Sequence, residues 1–211
     1  MLVRKFAAGL VIALSAAAAE MPLPVLRIEA TGGGSIFYVK NTSAQPLTAY
    51  LIELVNYPGS AYSLWQEEIT GDPIPPGVEK RIAVNNMTVG AVPDYVKLQA
   101  AVFADGSSSG IAEKVTQIVE RRHFLLATTR ELIARLGKPG ASKAELIADL
   151  RQWSESSQGS GKQKRDSQEF INHSAARGLI GETAGKLDKT SVEDTLASLR
   201  AAERALASSK Q

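Results

Sequence analysis

Apolar residues change their spacing partway along this chain, and that change limits the fold more than anything else in the sequence. From Val25 to about Ala104 they alternate with polar ones or fall in short runs broken by turn residues. From Ile111 onward they recur at helical spacing, at Ile111, Val115, Ile118, Leu125, Leu132 and Leu136. A period near two is that of a strand with one face against a core, and a period near 3.6 is that of an amphipathic helix. The fold class expected is therefore α+β, with an antiparallel β-sandwich over residues 20–110 and a helical carboxyl-terminal region after it.

The expected strands are Val25 to Ala30, Ser35 to Asn41, Leu47 to Val55, Leu64 to Ile69, Val78 to Val84 and Tyr95 to Ala104. In the last of these, Val96, Leu98, Ala100, Val102 and Ala104 are expected on one face and Lys97 and Gln99 on the other. Glycine, proline and Asx residues mark the turns, at Thr31-Gly32-Gly33-Gly34, Asn41-Thr42-Ser43, Tyr57-Pro58-Gly59-Ser60, Pro75-Pro76-Gly77 and Asp105-Gly106.

Residues 111–153 are expected to form amphipathic helices. The first stops at Gly137-Lys138-Pro139-Gly140, and a second starts from a capping box of Ser142 and Glu145. Residues 154–167 contain no apolar side chain and are expected to be a flexible, protease-sensitive linker. Over 168–211 two more helical segments are expected, Gln168 to Ile180 and Val192 to about Ser208, the latter capped by Thr190 and Glu193.

At the amino terminus, Arg4 and Lys5 precede an apolar run from Phe6 to Leu14, then Ser15 and four alanines. That is the order of a signal peptide, with residues 1–19 removed, and the run is too short for a bilayer span. The protein is accordingly expected to be exported, periplasmic or extracellular, with no transmembrane segment after cleavage. Loss of Arg4 and Lys5 balances the charge at 22 basic against 22 acidic residues. A neutral chain gives no general reason to bind nucleic acid. Residues 20–120 hold 6 basic and 11 acidic residues and residues 121–211 hold 16 and 11; these charges are expected to face solvent, and docking of the helical tail on the sandwich or on an acidic partner is the sharper alternative. With no cysteine, thiol chemistry and disulfides are ruled out and the core must supply the stability.

No catalytic residue, cofactor site or metal site is expected. His123 and His173 are fifty residues apart without a ligand at metal spacing, and Glu120 with Arg121-Arg122-His123 fits an exposed salt-bridging helix face. No Gly-x-Ser-x-Gly or Ser-x-x-Lys frames a serine in the folded region. Asn41-Thr42-Ser43, Asn86-Met87-Thr88 and Asn172-His173-Ser174 match the glycosylation acceptor pattern.

Phe37-Tyr38-Val39-Lys40-Asn41-Thr42-Ser43, Pro46-Leu47-Thr48-Ala49-Tyr50, Ile74-Pro75-Pro76-Gly77 and Ala101-Val102-Phe103-Ala104-Asp105-Gly106-Ser107 carry a resemblance. Over residues 25–136 the chain resembles secreted bacterial proteins with an immunoglobulin-like or fibronectin-type-III-like domain. The resemblance implies a fold and an exported location and assigns no activity. The function expected is a non-enzymatic binding or scaffolding module of the cell envelope or periplasm, its partner a protein or envelope component. A purely structural envelope domain is the alternative, and an enzyme with a scattered site comes third. Tyr57, Tyr62 and Trp65, in or beside the Pro58-Gly59-Ser60 loop, are the candidate partner-binding residues, against a competing role in core or edge packing.

Overall fold

The computed structural model describes residues 21–58, 62–67, 73–85, 93–156 and 167–207. The expected signal peptide, residues 1–19, lies outside them. Seven strands come first: β1 (Val25–Thr31), β2 (Gly34–Lys40), β3 (Leu47–Leu54), β4 (Ser63–Glu67), β5 (Glu79–Asn85), β6 (Val96–Phe103) and β7 (Ser108–Gly110). Four helices follow: α1 (Ala112–Leu136), α2 (Lys143–Ser156), α3 (Gln168–Lys189) and α4 (Val192–Ala207). The strands pair antiparallel in two sheets, ordered β1-β2-β5 and β4-β3-β6-β7.

One core joins residues of both sheets, Phe37 and Val39 from the first with Tyr50, Ile52, Ala101 and Phe103 from the second. A second core lies on the other side of the four-stranded sheet, where Ala49, Leu51, Ala100 and Val102 meet Ile118 of α1. That sheet is covered on both faces, which is why Leu47 to Ile52 is a continuous apolar or small run instead of an alternating one.

This two-sided burial corrects the expected face of β6. Leu51 opposes Ala100 while Ile52 opposes Leu98, so Gln99 is left as an extra residue in a bulge. A one-residue insertion moves every later side chain to the other face. Val96 and Leu98 therefore pack in the core between the sheets, whereas Ala100 and Val102 turn toward α1. A second irregularity leaves Thr48 unopposed between Leu47 and Ala49. Its hydroxyl donates to the Val102 carbonyl at 2.9 Å and accepts from Arg122 Nη1 at 3.1 Å. Arg122 is 3% exposed, which corrects the expectation of an exposed Arg121-Arg122-His123 face; Glu120 and His123 themselves are exposed.

Asn41, directly after β2, is fully buried. Its Nδ2 donates to the carbonyls of Gln45 at 2.7 Å and Ile74 at 2.8 Å, and its Oδ1 accepts from the amide and hydroxyl of Ser43. The amide nitrogen that a glycan would need is committed to holding a turn, so the acceptor pattern at Asn41 has a structural meaning instead.

The first half of α1 covers the sheet. Leu132 and Leu136 in its second half enter a third core with Leu146, Ile147 and Leu150 of α2, Ile180, Ala184 and Leu187 of α3, and Leu199 of α4. At 25 residues, α1 is long enough, about 37 Å, to serve both. The expected capping box forms, with Ser142 N donating to Glu145 Oε2 at 2.8 Å and Glu145 N to Ser142 Oγ at 3.3 Å. For α4 the cap is one residue later than expected: Ser191 Oγ, not Thr190, accepts from the amide three residues on, that of Asp194, at 3.0 Å. The helix expected to stop near Ile180 continues to Lys189. Ser154 to Ser156 belong to α2 and Ser167 caps α3, so of the expected linker only 157–166 remains, outside the described residues. Among the described residues, no helix is long and apolar enough to cross a membrane.

Candidate functional site

The structure separates the three aromatic residues expected to act together. Tyr57 follows Asn56, whose φ of 56° turns the chain sharply after β3, and it packs edge-on against Tyr95 at 5.3 Å between ring centres. Tyr62 packs edge-on against Phe37 at 6.3 Å, at the margin of the core between the sheets. Side chains alternate along a strand, so Trp65 takes the opposite face of β4 and joins the core under α1. The Arg121 guanidinium lies 5.8 Å from the centre of its ring.

Tyr62 and Trp65 are nonetheless reunited, because one groove of about 1110 Å³ beside Ser63 to Trp65 of β4 is lined by both and extends to Gln99 and Ile111. Tyr57 is not among its lining residues. Glu53, Leu54 and Val55 at the end of β3 form one side of the groove, and Lys114, Gln117 and Arg121 of α1 another. Phe170, Ile171, Ser174 and Ala175, in the first turns of α3, form the far wall. That wall is held in place at its start, where Ser167 Oγ accepts from Phe170 N at 3.2 Å and Gln168 Nε2 donates to the Gln117 carbonyl at 3.2 Å.

The groove is apolar on its walls and polar at selected points. Lys114 Nζ donates to Glu53 Oε1 at 2.9 Å, with side chains 26% and 16% exposed, so α1 is tied to β3 where the groove begins. Among its described lining residues the charged side chains are Lys114, Arg121 and Glu53. Two polar atoms here are buried without a hydrogen-bond partner among the described residues, Tyr62 Oη and Trp65 Nε1. Burial pushes the Tyr62 phenol above its ordinary value of 10.0, so it remains a neutral donor at any physiological pH. Most buried polar groups are paired, and two orphans in one groove require an explanation.

The Sequence indicated Tyr62 and Trp65 as aromatics beside a loop, but gave no sign of the α1 and α3 walls. Arg121 and Lys114 belong to a helix whose charges look solvent-facing by spacing alone, and Phe170 and Ile171 lie more than a hundred residues from β4 in the chain. Only the packing of α3 on α1 brings them together. Elsewhere, His173 packs edge-on against Phe124 at 5.1 Å, with Nε2 3.9 Å from Glu169. Among the described residues, no group of three or more His, Cys, Asp or Glu is placed to hold a metal ion. The chain matches no family model, and no curated protein or solved structure is significantly similar to it.

Proposed function

We propose that this chain is an exported, non-enzymatic binding module of the cell envelope or periplasm, built on an immunoglobulin-like β-sandwich, and that its binding site is the groove at the edge of β4. The observation that carries the reading is the groove itself, with apolar walls at Leu54, Val55, Phe170 and Ile171 and polar points at Gln117 and Arg121. Such a combination of apolar area with a few polar groups fits a binding surface. The strand order favours the sandwich: β3 and β4 are laid into one sheet before β5 returns to the other beside β2, a crossing connection between two antiparallel sheets. The order of charge, apolar run and small residues before Glu20 supports export.

Two measurements test this. Amino-terminal sequencing of the protein recovered outside the cytoplasm should begin at Glu20, and an intact Met1 terminus refutes export with cleavage. Ser174 is exposed on the groove wall, so Ser174→Arg should fold as the wild type does while blocking the groove. Loss of the proteins captured from the envelope fraction by the mature chain supports the assignment, and unaltered capture removes it.

A further inference from the structure

The described fold begins at Met21, with Glu20 alone between it and the expected cut after Ala19. Met21 packs against the core between the sheets, Pro24 is buried, and the Leu23 carbonyl accepts from Thr42 Oγ1 at 3.2 Å. These residues lie where the sandwich lacks a strand: β7 pairs with β6 only at Ala100, Ala101 and Val102, so residues 96–98 have no described strand on that side. Residues 21–24 pass along this gap, sharing one hollow with Leu98 and Ile111 and a second with Val96 and Ile28. Pro22 and Pro24 carry no amide hydrogen and hold the residues before them extended, so the segment crosses the gap as a straight strap and does not pair as a strand. A terminal segment is ordered only where something ties it down, and here a side chain, a ring and a carbonyl each do so.

Resting on the reading that residues 1–19 are a cleaved leader, we propose that residues 21–24 are a strap that fixes the order of events in export: the leader is cut while the chain is unfolded, and seating of the strap then withdraws the bond after Ala19 from the peptidase. A peptidase holds its substrate extended on both sides of the bond it cuts, so the residues that follow Ala19 must leave the fold to enter its cleft. Their departure takes Met21 out of the core and breaks the hydrogen bond between Thr42 and the Leu23 carbonyl. Cutting of the folded chain therefore follows the small population in which the strap has opened, and the unfolded chain needs no such opening. The same geometry bears on the route across the membrane. A chain carried over already folded would arrive with its strap seated, so the translocating machinery must take this chain unfolded.

The test uses the full-length chain with its leader, unfolded in urea and diluted in one of two ways: directly into a peptidase that cuts after Ala-x-Ala, or into buffer until its circular dichroism matches that of the mature protein, with the peptidase added only then. The expected result is cutting after Ala19 in both, slower by about tenfold or more in the second. A release variant, Met21→Ala with Thr42→Val, removes the packed side chain and the donated hydrogen bond. It should be cut several-fold faster than the parent when folded and at the parent's rate when unfolded. A full-length chain that never reaches the mature spectrum also supports the order, since the leader then has to go before the strap can seat. Equal rates for the folded and unfolded parent, or a folded release variant as slow as the folded parent, overturn the inference and leave the export reading standing. Absence of cutting after Ala19 in the unfolded chain overturns both.

Discussion

Gly110 stands where the last strand runs into α1, and no other residue fits there. Its φ is +103°, and a Cβ would come 2.9 Å from Ala100 Cα and closer still to the Gln99 carbonyl oxygen, which accepts from Ile111 N. Gly110→Ala should cost about 3 kcal/mol or more, from backbone strain and collision with the bulge together. Gly77, with φ +77° and open space around it, should cost about 1 kcal/mol on the same change, and urea unfolding of the two variants checks the contrast. Tyr62 makes the opposite case. Its hydroxyl is buried without a described partner, so Tyr62→Phe should leave stability unchanged or raise it by up to about 1 kcal/mol. Because burial raises the phenol pKa, the stability it confers is intact below the unfolded-state value near 10.0 and is lost as pH rises toward the folded one. Melting temperatures measured through that window should fall for the wild type and stay flatter for Tyr62→Phe. The sequence marks Gly110 only as one glycine after three serines; the need for it arises from Gln99, which contact alone reveals.

Elements were legible where their own residues carried the signal. The capping box of α2 is written in Ser142 and Glu145, and the stop of α1 in Gly137 to Gly140. The hydrogen bonds from the amide and hydroxyl of Ser142 hold the Glu145 carboxyl below its usual range, so this contribution is present above the ordinary carboxylate pKa and is lost as pH falls through the lowered one. Ser142→Ala should cost about 1 kcal/mol at neutral pH and should reduce the loss of stability in acid, as read from thermal melts at both ends of that range. Other elements hid for physical reasons. Ser108–Gly110 has no apolar side chain to reveal a strand, and it exists because Asp105-Gly106 folds it back on β6. The alternation in β6 is genuine as text and misleading as structure, since the bulge at Gln99 divides one apparent face between two cores.

At the scale of the whole molecule, the boundary expected at Ile111 is a boundary of period and not of packing. The face of the four-stranded sheet that carries Ala49, Leu51, Ala100 and Val102 is completed by Ile118 of α1. A chain ending at residue 111 should therefore fail to fold or should aggregate, whereas one ending at Gly137 should keep the β-structure by circular dichroism and self-associate through Leu132 and Leu136, which sedimentation would detect. The groove was half legible for the same reason. Its β4 side could be read from Tyr62 and Trp65, but its α3 side depends on a helix that reaches the sheet only by way of α1.

Treated as a mechanical part, α1 is a single rod clamped at both ends. One end is gripped by the sheet through Ile118, Arg122 and Lys114, and the other by three helices through Leu132 and Leu136. A helix resists bending over this length, and it contains no proline or glycine to act as a joint. A displacement of α4 is therefore passed along α1 to the side of the groove at Gln117 and Arg121.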